Sequence, residues 1–513
     1  MRFCIVGSGV AGTVIARAML ERGDEVVMVE AGPRVTMRER RKWLDFVTTG
    51  VRPYHSCEDT QENVNRRFQE SAPGSTTFEL KGGRLMGVGG STLHWSGWTP
   101  RFQPEDFELH SRTGLGRDWP FTYAQLEPYY CEAERLLNVT GPSAPRSGHP
   151  TPWRSVHYPW DSPPFPEATE ELRGALDSMG ITYDHVPLSR RGPGGESPGL
   201  PCMAVGTCRY CPLGARFDPT LLLETLEQRP GFRLLSDSPV LRLELSKGQV
   251  AAAVYRTAEG GEARVEADVF VVASGALETP KLLWRSGLDE RRLPMLGRFL
   301  TSHPMLTVRG VARSSRAFNG REVPMPGLFS RHFDTPEHQA QGKFMFADYP
   351  QHPSPQTWVR KGMDAAYVER FARDNVIELH GFIEEIPDES NRIVLGPSSP
   401  LRQVEVEYHS RTGFPERLRW AEQKMKQVLR ASGCPEDTIQ TVETTRRADH
   451  SIGTVRFGDD ERTGVVDARH RTFGTTNLYA LSNGNFPNGS VVNPTLTLTA
   501  MCLRWAREVL PTL

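Results

Sequence analysis

The chain has 513 residues, 38% of them hydrophobic and 24% charged, with 61 basic against 62 acidic side chains and a formal net charge of −1. That length exceeds what one hydrophobic core usually serves, so two domains, or one domain with a large insertion, are expected. Cancelling charges, with no segment rich in Lys and Arg, argue against nucleic acid as a partner, and apolar runs such as Val269–Ala273 fall far short of the ~20 residues needed to enter and cross a bilayer.

The first structural signal begins at Arg2, leaving no room ahead of it for a secretory leader, so a cytoplasmic location is expected. Residues 2–6, Arg-Phe-Cys-Ile-Val, read as a buried parallel strand and run directly into Gly7-Ser8-Gly9-Val10-Ala11-Gly12. In this G-x-G-x-x-G fingerprint Gly7 permits the tight turn, Gly9 lets backbone approach a pyrophosphate, and Gly12 lets the following helix pack on the strand. The helix then continues through residues 13–22, Gly23 closes it, and Glu25–Glu30 reads as a second strand. A carboxylate at its end, Glu30, can accept hydrogen bonds from ribose hydroxyls and would repel a 2′-phosphate, which suits FAD or NAD and excludes NADP.

Residues 84–102 form a glycine-rich turn flowing into a segment dense in aromatic and hydroxyl side chains. Gly87, Gly89 and Gly90 would let backbone approach a flat ring, with Ser91, Thr92, Ser96 and Thr99 supplying small polar groups beside it. The Pro-rich residues 142–166 and the Gly/Pro-rich residues 192–201 read as loops, on the surface or forming a lid.

Cys202, Cys208 and Cys211 place three of the eight cysteines within ten residues. Thiolates this close suit an iron–sulfur cluster, a structural metal clip completed by a distant ligand, or a loop of free thiols. Farther on, Phe232–Leu235, Val240–Leu245 and Val250–Tyr255 read as short strands. A strand Val265–Ala273 then ends at Ser274-Gly275, with a helix starting near Thr279-Pro280. Met305–Val311, Val376–Ile383 and Val404–Tyr408 alternate as an antiparallel sheet would, and residues 416–431 are helical by composition.

The C-terminal part carries His450-Ser-Ile-Gly-Thr-Val-Arg-Phe-Gly458, two short runs at Val465–Asp467 and Asn477–Leu481 leading to Asn483-Gly484-Asn485, and then Val491 through Ala500. Helical spacing starts at Thr495, and Pro494 suits the first turn. The N-terminus of that helix is free to face an anion or an electron-rich ring. Ser274, Gly484, Asn485, Pro494 and Thr495 are accordingly candidate cofactor contacts.

These stretches resemble the glucose-methanol-choline (GMC) oxidoreductases. The likeness runs through Gly7–Gly12 with Glu30, Gly87–Phe102, Gly116–Tyr130, Ala273–Lys281 and His450–Ala500. Within that family, Gly89-Gly-Ser-Thr-Leu-His-Trp95 is most similar to pyranose oxidases and to the catalytic subunits of bacterial sugar dehydrogenases. The resemblance implies an α/β fold: a Rossmann-like FAD-binding domain (1–130, 201–302 and 443–513), an insertion or lid and the start of the substrate domain at 131–200, and an α+β substrate domain on an antiparallel sheet (303–442). It implies FAD rather than NAD. His450 matches the family's catalytic histidine and Asn493 its second member, which together would hold a substrate hydroxyl while the hydride passes to the flavin.

The resemblance further implies oxidation of a secondary hydroxyl of a pyranose sugar or glycoside to a ketone, with O₂ or another acceptor taking the electrons. His94 stands where pyranose oxidases join a histidine to the flavin 8α-methyl. It is read either as that bond or, preferably, as an imidazole packed beside the ring. Sugar dehydrogenase subunits hold an iron–sulfur cluster in a Cys-rich stretch like residues 202–211 and work with a small partner subunit. This chain has two residues, not three, between its last two cysteines. A non-sugar alcohol oxidase is the remaining alternative.

Overall fold

In the computed structural model, which describes residues 1–36, 38–42, 78–142, 151–165, 169–192, 199–202, 211, 213–312, 327–348, 375–396 and 404–513, Arg2–Val6 is the central strand of a five-stranded parallel sheet. The order is Leu478–Ala480, Val269–Val272, Arg2–Val6, Glu25–Val29, Phe232–Leu235, with every adjacent pair parallel. The inner strands read as almost unbroken apolar runs because a parallel sheet is covered on both faces. The helix Val10–Arg22 ends at Gly23, whose φ of 91° lets its N–H turn back to the Leu20 carbonyl at 3.1 Å. A Cβ on Gly12 would lie 2.1 Å from the Gly7 carbonyl oxygen, so the close approach of this helix to the first strand requires glycine there.

The middle of the chain departs from expectation in three places. Val265–Ala273 is not one strand: Glu262–Glu266 joins Gln249–Arg256 and Val240–Ser246 in a three-stranded antiparallel sheet, and Val269–Val272 enters the parallel sheet. Asp268 makes the switch. Its carboxylate accepts the Arg2 N–H at 2.8 Å and its own N–H donates to the Arg2 carbonyl at 2.9 Å, tying the chain to the other sheet. Phe232–Leu235 likewise leaves its sequence neighbours to form the edge of the parallel sheet.

The helix expected near Thr279-Pro280 instead begins at Gly275 and runs to Arg285 with Pro280 inside it. Proline offers no N–H to the carbonyl four residues back, that of Ala276, and the Thr454 hydroxyl donates to it instead. A side chain from the C-terminal segment thus makes good the bond that proline removes.

The second core is built on a seven-stranded sheet ordered Phe78–Glu79, Gln440–Arg447, Pro304–Ala312, Asn375–Ile383, Phe344–Asp348, Leu328–Ser330, Asp184–His185. All its pairs are antiparallel except the first. The helix Phe414–Ala431 lays Ala421, Met425, Val428 and Leu429 into a cluster with Leu306, Val308 and Leu379 of the sheet. Val404–Tyr408 does not join this sheet: Val406–Glu407 pairs with Arg392–Ile393 in a separate ribbon. Gln440–Arg447 runs through position 442 and Phe78–Glu79 lies in the second sheet, so the chain interleaves the two cores.

In the core around the parallel sheet, the helix Tyr123–Leu136 starts with a capping box in which Thr122 and Gln125 bond each other's backbone N–H. The fully buried Arg101 reaches this helix through Glu134 at 2.8 and 2.9 Å, Glu127 at 3.0 Å and the Tyr123 hydroxyl at 2.9 Å. Paired in this way, the guanidinium pins the segment after the second glycine-rich loop against the helix.

Asp348, buried at the end of its strand, accepts the Gly327 and Leu328 N–H groups on Oδ1 at 2.8 and 2.7 Å, while Oδ2 has no partner among the described residues. Burial pushes its carboxyl up to about 7. The folded chain keeps this proton as pH rises from about 4, where an unfolded Asp loses it, so stability falls across that interval. Asp348→Asn, which keeps the Oδ1 acceptor and removes the charge, is expected to raise Tm at pH 8 and to match the wild type at pH 4 by differential scanning calorimetry.

Candidate active site

The first glycine loop is fastened by the carboxylate at the end of the second strand. Glu30 Oε2 accepts the Ser8 N–H at 3.0 Å and the Ser8 hydroxyl at 2.7 Å, and Oε1 accepts the Gly32 N–H at 3.0 Å. The Ser8 hydroxyl in turn accepts the Gly89 N–H at 3.2 Å. Residues 7–12, 30–32 and 87–90 are therefore one knot around a buried acid whose carboxyl is raised by that burial. Both carboxylate oxygens of Glu30 are thus turned to the backbone of these loops.

This cleft fits the pyrophosphate of a dinucleotide. Gly9 caps the helix Val10–Arg22 without any side-chain hydrogen bond, leaving first-turn N–H groups for an anion. A Cβ built on Gly9 meets nothing within 4 Å, whereas one on Gly90 would come within 3.0 Å of Gly9 Cα. The two glycine loops thus touch at one point with open space beside it. From there Gly90–His94 forms a short 3₁₀ turn in which Thr92 and His94 are buried, Ser91 Oγ accepts the Leu85 N–H at 3.0 Å, and Ser96 follows half-buried. The Gly87 carbonyl closes this loop on the Gly90 N–H at 2.8 Å. Ser274 Oγ donates to the Val6 carbonyl at 3.1 Å, where the central strand ends.

The structure brings His450 and Asn493 together. His450 Nε2 and Asn493 Nδ2 are 3.0 Å apart, and His450 Nδ1 is 3.1 Å from Nδ1 of His303. His303 Nε2 lies 3.0 Å from the Gly489 carbonyl oxygen. A carbonyl only accepts, so His303 carries its proton on Nε2 and presents a lone pair at Nδ1. His450 then donates from Nδ1 and keeps the lone pair on Nε2, facing the Asn493 amide N–H. Burial, together with the neighbouring His450, lowers His303 to about 3, so it stays neutral throughout the physiological range. The arrangement is a base with a fixed tautomer beside an amide donor. Asn493 Oδ1 is buried with no partner among the described residues, a free acceptor for a second polar group. Phe382 closes one side, its ring 6.2 Å from that of His450 and 5.5 Å from that of Trp98.

Pro494 occupies the cap of the helix Thr495–Glu508, again with no side-chain cap, one residue beyond Asn493. Its uncapped first turn therefore begins beside the His450 and Asn493 pair. Asn485 is held by protein groups at both ends of its amide. Its Oδ1 accepts the Ser482 N–H at 3.0 Å and faces His470 Nδ1 at 3.2 Å, and its Nδ2 donates to the Val455 carbonyl at 3.0 Å. The fully buried amide is thus committed to holding the turn Asn483–Asn485, and the backbone N–H and carbonyl groups of Gly484 and Asn485 are bonded within the protein as well.

Of the cysteines, Cys211 is buried, Cys202 is half-buried and Cys208 lies outside the described residues, as do 143–150 and 193–198 of the expected loops. Among the described residues no three His, Cys, Asp or Glu side chains are grouped to hold a metal ion, and no helix is long and apolar enough to cross a membrane.

His303 is the residue the sequence reading missed. It stands between Ser302 and Pro304, and the pairing of Pro304 with Arg446 together with the bridge between Thr301 and Ile452 brings it to His450.

Residues 1–305 and 387–502 match family profiles that both carry the description GMC oxidoreductase. The chain is 27% identical to the fructose dehydrogenase large subunit of Gluconobacter japonicus, over 99% of this chain and 97% of that one. It is also 27% identical to 6'''-hydroxyparomomycin C oxidase of Streptomyces lividus, over 99% and 90% of the two chains. Among solved structures, pyridoxine 4-oxidase from Mesorbium loti has the same fold, with a TM-score of 0.67 at 19% identity over 99% of both chains.

Two glycine substitutions separate folding from cofactor binding. Gly12→Ala forces a methyl into the Gly7 carbonyl and is expected to lower Tm in the absence of cofactor. Gly9→Ala fills only open space and is expected to leave that Tm unchanged while weakening dinucleotide binding, measured by fluorescence titration of the apoprotein.

Proposed function

We propose that this chain, which belongs to the GMC oxidoreductase family, is an FAD-dependent enzyme that oxidises a secondary hydroxyl of a pyranose sugar or glycoside to a ketone. The observation that carries this reading is the His450 lone pair at Nε2, held 3.0 Å from the Asn493 amide by the contact of His450 Nδ1 with His303. FAD, the redox group of the family, supplies an electrophilic N5 that accepts the hydride from the substrate carbon.

The chain's own residues do the rest. A substrate hydroxyl entering between Nε2 and the amide donates its proton to His450 and accepts from Asn493 Nδ2, which stabilises the developing alkoxide without competing for the proton. Asn493 Oδ1 takes a donor from the adjoining carbon of a polyol ring. With FAD bound, the uncapped N-terminus of Thr495–Glu508 would offer its dipole to negative charge on the ring. His94, buried at the end of its turn, would pack beside the ring, and Glu30 and the Gly9 helix terminus would receive the ribose and pyrophosphate. The sugar class is supported by a relative that is, by name, a fructose dehydrogenase.

That relative is also a large subunit, which favours a second reading of electron disposal. In it, Cys202, Cys208 and Cys211 would hold a cluster that supplies an electron path to a small partner subunit, in place of O₂. Iron content and visible absorption of anaerobically purified protein distinguish the two.

Anaerobic mixing with a panel of pyranoses, glycosides and simple alcohols is expected to bleach the flavin absorbance near 450 nm for sugars above all. His450→Ala is expected to slow that bleaching by about 10²-fold or more while FAD stays bound; reduction at the wild-type rate would remove His450 from the mechanism. Because His450 must be unprotonated to act, flavin reduction by the wild type is expected to rise with pH, read by stopped-flow absorbance.

A further inference from the structure

We propose that Asp106 and Ser490 are positioning residues for the catalytic pair: they clamp the Gly489 carbonyl where it dictates which nitrogen of His303, and hence of His450, carries the proton. The proposal rests on His450 being the base.

Both neighbours of Gly489 in the loop are tied to the same residue. The Ser490 hydroxyl donates to Asp106 Oδ2 at 2.6 Å, and Asn488 Nδ2 donates to the Asp106 carbonyl at 2.9 Å. Ser490 has a φ of 52°, a left-handed conformation that a non-glycine residue holds only where its surroundings impose it. Gly489 itself has no room for a side chain, since a Cβ would sit 3.0 Å from His303 Nε2 and 2.8 Å from Ile452 Cδ1. The loop is therefore bent, anchored and pressed against the imidazole it orients.

The anchor is held from the opposite core. Asp106 is fully buried, its Oδ2 also accepts the Gln103 N–H at 2.6 Å, and its Oδ1 meets the ammonium of Lys343, with Arg331 at 3.7 Å. Lys343 directly precedes the strand Phe344–Asp348 and Arg331 directly follows Leu328–Ser330. Asp334 and Glu384 complete the ionisable groups facing this node. The two cations hold Asp106 ionised, below the usual carboxylate range, so it acts as a permanent acceptor for Ser490. The position of the seven-stranded sheet is thereby transmitted through Lys343, Asp106 and Ser490 to the Gly489 carbonyl.

Released from that carbonyl, His303 can place its proton on Nδ1 and donate to His450. His450 would then carry its own proton on Nε2, the face that must be bare to take one from substrate. The loss is one of proton arrangement, with no contact to substrate removed.

Ser490→Ala and Ser490→Gly both delete the hydroxyl and leave the Asp106–Lys343 pair intact. The glycine also relieves the left-handed strain, so it is expected to fold at least as stably as the wild type. In protein labelled with ¹⁵N-histidine, the wild type is expected to show His450 protonated on Nδ1, and both variants a mixture of tautomers. Anaerobic flavin reduction by the best substrate is expected to slow by about tenfold with substrate affinity unchanged, and its pH profile to change shape. A Ser490→Gly protein that is folded and keeps the wild-type tautomer, rate and pH profile overturns the proposal. His450→Ala assayed in parallel separates the two questions: if it still reduces flavin, the assignment of the base fails, whereas if it does not, unchanged Ser490 variants refute the positioning role alone.

Discussion

A backbone carbonyl can receive a hydrogen bond and never give one, and the carbonyl of Gly489 imposes that asymmetry on the site. By accepting from Nε2 it sets His303, His303 sets His450, and His450 presents an unprotonated Nε2 to Asn493. The order works because His303 is buried deeply enough to stay neutral; a charged imidazolium there would donate from both nitrogens and reverse the chain. A carbonyl is also a dead end for a proton.

Buried charge performs the comparable task at larger scale. Arg101 binds Glu127 and Glu134 of one helix, Lys343 and Arg331 hold Asp106, and Arg446 meets Glu385 at 2.8 Å, all with little or no exposure. Desolvating such pairs is expensive, and apolar replacements of the same volume are often no less stable. Directionality is what apolar packing lacks. Each of these pairs joins segments distant in sequence, and the Asp106 node joins the two cores next to the catalytic loop. Burial alone would tolerate a slide of one core on the other by a fraction of a side chain; bonds between charges at fixed angles do not.

The parts of this molecule legible in the sequence are those where backbone geometry dictates residue type. Gly12 cannot be anything larger, Gly23 must turn left-handed, and Glu30 must end its strand within reach of Ser8, so the dinucleotide unit is written in consecutive residues. His450 and Asn493 were legible through the stretches around them. His303 was not, because it reaches the site through the pairing of Pro304–Ala312 with Gln440–Arg447 and the bridge of Thr301 to Ile452, relations between segments more than a hundred residues apart. Pro280 misled for a related reason: proline marks a helix start when nothing else can satisfy the freed carbonyl, and here Thr454 arrives from far along the chain to do so. Asn485 lay in the right turn, but no pattern in sequence tells which way an amide faces. Asp268 gave no sign that two strands meet where one run was read.

The knot around Glu30 closes entirely through protein atoms: Ser8, Gly32 and, by way of the Ser8 hydroxyl, Gly89. Every link runs to one carboxylate or to the hydroxyl it holds, so a single substitution at Glu30 would loosen both glycine loops at once.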